Sequence, residues 1–186
     1  MQLDLFGNAV LRPISRLLTG LLLACVVGSA NADEPSREYR IKAAFLYNLT
    51  KFITWPDEKS WSTNEPITVC IYGFNPFDSY IEKLKQRTVK GRAIALLYPT
   101  QPAELQQCQM MFVSQYNTLK LDMGKISADM PSLLTVGDDP DFVARSGMIG
   151  LVAAGNNVQM DIHLTKARQA GFVVSADLLE IAHKVE

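Results

Sequence analysis

The sequence predicts an α/β protein: a mostly parallel sheet flanked by helices on both faces, with a C-terminal antiparallel edge hairpin. Three observations carry this. Short apolar runs alternate with segments of helical periodicity from residue 37 to the end, the pattern of parallel strands joined by crossover helices. The inner runs, such as Ile67 to Tyr72 and Met110 to Val113, are almost continuously apolar, as strands covered on both faces must be. The last run differs. Val158, Met160, Ile162 and Leu164 alternate with Gln159, Asp161 and His163, which places this strand half exposed at an antiparallel edge.

The chain opens with an export signal. Arg12 and Arg16 flank an apolar core from Leu17 to Val27, and Ala30-Asn31-Ala32 supplies the small residues a signal peptidase reads. Residues 1–32 therefore read as a secretory signal peptide, with cleavage expected before Asp33. The core is too short to span a bilayer, which takes about 20 apolar residues. Leu22-Leu23-Ala24-Cys25 offers a second route, a lipobox in which Cys25 becomes the lipidated first residue. Either way the protein leaves the cytoplasm and works where disulfides survive.

Residues 33–186 then form a single domain of ordinary size. Ser36 caps a helix from Arg37 to Thr54, with Ile41, Phe45, Asn48, Leu49 and Phe52 on one stripe and Ala44 beside it. Trp55-Pro56 ends it, because the residue before proline avoids helical backbone. Ile67 to Gly73 is a strand, Pro76 to Gln86 a helix and Ala93 to Tyr98 a strand. Pro102 to Gln107 is a short helix, with its proline tolerated in the first turn. Met110 to Val113 is a strand, Leu119 to Ser127 a helix and Leu133 to Val136 a strand. Asp139 is expected to cap a short helix through Ala144. Met148 to Val152 and Val158 to Leu164 are strands joined by the turn Gly155-Asn156-Asn157, the strongest hairpin signal in the chain. Helices at Thr165 to Ala170 and from Ser175 to about Lys184 finish the fold.

Charge and motifs exclude several function classes. The whole chain carries a formal net charge of −1. Its densest basic stretch, Lys83 to Arg92, is interrupted by apolar residues and reads as a solvated helix face and turn. No nucleic-acid partner is expected. There is no Gly-x-Ser-x-Gly elbow, no phosphate loop and no Gly-x-Gly-x-x-Gly. His163 and His183 lack neighbours at metal-ligand spacing and read as surface histidines, so no metal, cofactor or catalytic residue is expected. Asp138-Asp139-Pro140-Asp141 reads as the acidic start of a helix. Gly73-Phe74-Asn75-Pro76 lies at a strand end before a helix. That is where open α/β sheets bind ligands, so this turn is either ordinary or a cradle for a small anion on the helix N-terminus.

Removal of the signal leaves Cys70 and Cys108. An even pair in a small exported domain reads as a disulfide, and two separate buried thiols are the other reading. The bond would contribute roughly 3–4 kcal/mol in the chain-entropy model. Phe45, Tyr47, Phe52 and Trp55 span too much of the first helix for all to face one core. Either some form an exposed aromatic patch that binds a partner, or the helix is buried between the sheet and a second copy.

Several stretches together resemble the YfiR family. They are the run Lys42 to Pro56 with its Tyr47-Asn48-Leu49 and Phe52-Ile53-Thr54-Trp55-Pro56, then Ile67 to Gly73 with Phe77, Val89-Lys90-Gly91-Arg92, and Cys108 to Ser114. Leu134 to Asp138, Ser146 to Leu151, Asn157 to Leu164, Ala170-Gly171 and Leu178-Leu179 complete the set, which covers nearly all of residues 38–183. The resemblance implies a periplasmic α/β repressor that is not an enzyme and forms a homodimer. It implies a partner, an inner-membrane diguanylate cyclase whose periplasmic sensor domain the repressor binds, so that cyclic-di-GMP and biofilm formation fall. An outer-membrane lipoprotein that sequesters the repressor is a further implied partner. Family members carry a cysteine pair matching Cys70 and Cys108. The chain departs from the family at Ser146, where a glycine is usual, and at His163, where asparagine is common. The alternative function is a periplasmic small-molecule sensor with its ligand at the strand ends near Gly73 to Phe77.

Overall fold

In the computed structural model, which describes residues 36–186 except 57 and 63, Ser36 caps helix α1 (Arg37–Phe52). Its hydroxyl accepts a hydrogen bond from the Tyr39 backbone N–H at 3.4 Å. The signal peptide read over residues 1–32, Cys25 and the cleavage expected before Asp33 lie outside the described residues. The chain continues through β1 (Ile53–Thr54), β2 (Ile67–Tyr72), a 3-10 helix (Asp78–Gln86), β3 (Thr88–Val89) and β4 (Arg92–Leu97). A second 3-10 helix (Pro102–Gln107) leads to β5 (Met110–Val113), α2 (Gln115–Thr118), α3 (Met123–Asp129) and β6 (Leu134–Gly137). The hairpin β7 (Ile149–Ala154) and β8 (Asn157–Ile162) precedes α4 (Leu164–Gln169), β9 (Val173–Val174), α5 (Ala176–Glu180) and β10 (Lys184–Val185).

The main sheet runs β10-β8-β7-β6-β5-β2-β4-β3. Strands β4, β2, β5, β6 and β7 are mutually parallel, so the expected mostly parallel sheet is present. Strand β8 returns antiparallel to β7, closing the hairpin with Ala154 opposite Asn157. Gly155 supplies the positive φ of 60° that this tight turn requires. From β2 the chain crosses to β4 on one side, then returns to β5 on the other. The carboxyl ends of β2 and β5 therefore flank the point where the strand order reverses.

Side chains alternate across the sheet and define two cores. Val69, Ile71, Met110, Phe112, Leu134 and Val136 face a layer made by α1, the first 3-10 helix, α4 and α5. Cys70, Met111, Val113 and Phe142 face the second 3-10 helix and α3. Each large side chain so buried contributes about 1.5–3 kcal/mol relative to exposure. Cys70 and Cys108 form a disulfide with Cα atoms 5.9 Å apart, joining β2 to the turn that enters β5.

Four sequence expectations are corrected. The buried stripe of α1 is Lys42, Ala43, Leu46, Leu49 and Thr50 rather than Ile41, Phe45 and Phe52, and Ala44 is exposed. Periodicity counted apolar residues, whereas a lysine takes one of the inward positions. The helix expected over Leu119 to Ser127 starts late, at Met123, and runs to Asp129; Asp122 caps it, its carboxylate accepting from the Lys125 N–H at 2.9 Å, and a separate short helix, Gln115–Thr118, precedes it. Asp139 opens a run of turns rather than a helix, with its carboxylate accepting from the Asp141 N–H at 2.9 Å. The last helix stops at Glu180, and β10 pairs parallel to β8 outside it, so β8 is not the outermost strand. His163 accordingly leaves the strand and caps α4, and His183 pairs with Asp161 at 2.9 Å.

The turn run after β6 is fixed by one ring. Phe142 is fully buried, and a Cβ added to Gly137 or Gly147 would lie 2.4 or 2.2 Å from its ring carbons. Ser146, in the position where the family carries glycine, adopts a φ of 72°. A serine holds that left-handed backbone at a cost of about 1 kcal/mol. Gly147→Ala is expected to lower stability by about 1–3 kcal/mol through overpacking against Phe142, measured by urea unfolding; an unchanged midpoint refutes this packing account.

Candidate functional site

The structure disperses the aromatic residues that the sequence singles out. Trp55 is 3% exposed, its indole N–H donating to the Gln109 carbonyl at 2.8 Å and its ring lying against Phe172. It is a core residue and not part of an exposed patch. Phe45 and Phe52 are half-buried at the rim of the core. Tyr47 is also half-buried against that core, and cations gather at its ring: Lys51 Nζ lies 5.6 Å and the Arg87 guanidinium 6.0 Å from its centroid. Beside it Lys83 Nζ sits 4.1 Å over the Tyr80 ring, and Tyr47, Tyr80, Lys83 and Arg87 border a cavity of about 240 Å³.

The second region lies at the switch in strand order. Gly73, at φ 71°, turns the chain out of β2, and a Cβ there would lie 2.9 Å from the Asn117 side chain. The next residue, Phe74, is 56% exposed and meets Tyr116, 64% exposed, edge to face at 5.7 Å. With Asn117 and Lys120 they line a shallow cavity of about 390 Å³. Asn75 closes the turn, its side-chain oxygen accepting from the Phe77 N–H at 2.9 Å. Exposed aromatic rings over the strand ends are thus supplied by the Gly73–Phe77 turn together with α2, whose Tyr116 the sequence reading missed.

A buried ionic cluster joins α1, the end of β6 and the start of α2. Asp138, the first residue after β6, accepts from Lys42 Nζ at 2.8 Å, the Tyr39 hydroxyl at 3.0 Å and the Gln115 N–H at 2.6 Å. The Lys42 and Asp138 side chains are 1% and 0% exposed. Glu38, one turn before Lys42, adds a second carboxylate to the ammonium. Burial first, then the Asp138 carboxylate, raises the Tyr39 hydroxyl far above the ordinary tyrosine range. The lysine is engaged by two carboxylates, so the cluster acts as a tie between α1 and the sheet rather than as a nucleophile. Sequence reading gave Asp138 to a helix start. The available signal was a charged residue directly after the apolar run of β6, paired with a lysine on the inward side of α1.

Among the described residues no group of three or more His, Cys, Asp or Glu side chains is placed to hold a metal ion. Among the same residues no helix is long and apolar enough to cross a membrane.

Comparison with known proteins adds the family. A family model described as YfiR/HmsC-like matches residues 39–183, from Tyr39 in the buried cluster to His183 before β10. No curated protein matches the chain. Among solved structures, the ABC domain from Streptococcus pneumonia in complex with L-Trp is 13% identical, with a TM-score of 0.52 over 77% of this chain. A conserved domain protein from Vibrio cholerae is 15% identical, with a TM-score of 0.46 over 64% of this chain. The chain spans 60% and 55% of the lengths of these two structures. The first likeness supports the α/β fold and nothing finer.

Two outcomes test the cluster. Lys42→Met leaves the Asp138 carboxylate buried without its cation and is expected to cost about 3–5 kcal/mol in urea unfolding. Lys42→Met combined with Asp138→Asn is expected to cost much less, and equal losses would refute the pairing. Tyr39 and Tyr98 both ionise less readily folded than unfolded, Tyr98 through burial and its bond to Glu82. Above a pH of about 10 the unfolded chain sheds these protons while the folded protein keeps them, so stability is expected to fall as pH rises through that range. Tyr39→Phe should flatten that fall in alkaline melts.

Proposed function

Because the chain belongs to the YfiR/HmsC-like family, we propose that it is a periplasmic regulatory protein that binds the periplasmic sensor domain of an inner-membrane diguanylate cyclase and represses it, lowering cyclic-di-GMP and biofilm formation. The observation that carries this reading is the extent of the family match, residues 39–183, which takes in both cores, the disulfide and the buried cluster. The family is regulatory rather than catalytic, and the role requires no reacting side chain. Repression works by population shift: the bound regulator favours the inactive state of the sensor by no more than its differential affinity for the two states. A homodimer is the acting form, and an outer-membrane lipoprotein relieves repression by sequestering it.

A second reading, a periplasmic small-molecule sensor, is favoured by the crevice under Phe74 and Tyr116 at the switch in strand order, where open α/β sheets take their ligands. A thermal-shift screen with metabolites separates the two, since a ligand that binds the folded state raises the melting temperature. The decisive test of the first reading deletes the gene in its own source and measures cyclic-di-GMP, alongside a pull-down of the tagged protein from solubilised membranes. A rise in cyclic-di-GMP reversed by complementation, with recovery of a cyclase bearing a periplasmic sensor domain, is the expected result. An unchanged level overturns the repressor reading.

A further inference from the structure

The outer face formed by α1 and the first 3-10 helix gathers three cations over aromatic rings. The chain as a whole has a net charge of −1. Several other surface cations sit against acids: Lys85 with Glu82, Lys90 with Glu58, Lys125 with Asp129 and Arg145 with Asp139. Lys51, Lys83 and Arg87 have no acidic partner of this kind among the described residues. They touch rings instead: Lys51 and Arg87 approach Tyr47 at 5.6 and 6.0 Å, and Lys83 lies 4.1 Å over Tyr80. A ring holds a cation in place without neutralising it, so these charges are oriented and still unspent. Between the two tyrosines lies the cavity of about 240 Å³, with Leu84 among its lining residues.

We propose that this face docks an acidic segment of a protein partner, whose carboxylates meet Lys51, Lys83 and Arg87 while one of its apolar side chains seats between Tyr47 and Tyr80. The proposal rests on the reading that the chain represses a partner by binding it, and it names the surface used. Tyrosine and arginine are enriched at protein interfaces and at their energetic centres. A membrane is the poorer occupant. A peripheral membrane face adds protruding apolar side chains to its cations. Here the large exposed apolar residues, such as Phe74, Tyr116, Leu119, Val173 and Ile181, belong to other elements.

The test uses the purified full chain with a fluorescein-labelled peptide of alternating glutamate and tyrosine, and anionic phosphatidylglycerol vesicles as the competing probe. Peptide binding is expected to weaken steeply with salt. It should fall about tenfold in Lys83→Glu with Arg87→Glu, and less than about twofold in Lys125→Glu with Arg168→Glu, which changes net charge equally. Lys83→Gln with Arg87→Gln replaces the first pair if charge reversal perturbs folding. Equal loss in both pairs, or vesicle binding without peptide binding, overturns the proposal. In cells, failure of the surface and failure of the repressor reading separate. If gene deletion raises cyclic-di-GMP and the Lys83/Arg87 variant still represses, the surface falls and the repressor stands. If deletion changes nothing while the variant still loses the peptide, the repressor reading falls and the acidic-docking surface stands.

Discussion

The rest of this structure depends on the buried pairing of Lys42 with Asp138. Helix α1 packs across the sheet with a lysine on its inward side, and that is tolerable only because a carboxylate waits at the end of β6. Desolvation of two charges is costly, and such a pair stabilises less than apolar residues of the same volume would. What it does supply is register. With Lys42 fixed over Asp138, Leu46 and Leu49 are fully buried and Tyr47 is left half-buried at the rim of the core. The same carboxylate holds the Gln115 N–H, so the end of β6 positions both α1 and the start of α2. Both surface regions described above hang from this cluster: Tyr47 through the rotation of α1, and Tyr116 through the placement of α2.

The sheet was legible because its strands are short, apolar and separated by turn residues. Ile67 to Tyr72 and Met110 to Val113 admit no other reading once both faces are covered, and Gly155-Asn156 fixes the hairpin register. The helix face was not legible. Ile41, Phe45 and Phe52 make a plausible apolar stripe, and only a residue nearly a hundred positions away shows that Lys42 belongs inside. Long-range ionic partners leave no periodic trace in a sequence. Trp55 misled for the same reason: its hydrogen-bond acceptor, the Gln109 carbonyl, is remote in sequence. The cation–ring face was partly visible, since Lys83 to Arg92 stood out as the densest basic stretch, but its proximity to Tyr47 is a product of tertiary packing.

The two cores divide the labour of the fold. The face under α1 holds most of the buried aromatic and aliphatic side chains. The opposite face is thinner and carries the disulfide, which ties β2 to the approach of β5. A covalent link suits the thinner layer, where short 3-10 and α segments give less apolar cover than a long helix. Phe142, gripped between Gly137 and Gly147, closes this second layer at its far end.

Strand β10 pairs with only Asp161 and Ile162, the last two residues of the six-residue β8. The His183 N–H to the Met160 carbonyl, the Glu186 N–H to the Ile162 carbonyl and the His183–Asp161 contact extend that cover along the margin of the sheet. The final residues are thus a seal on an open backbone ladder. A fusion or truncation that pulls Lys184 and Val185 away would uncover Met160 and Ile162 to edge-to-edge pairing between molecules. Aggregation, rather than unfolding, is the hazard built into this end of the chain.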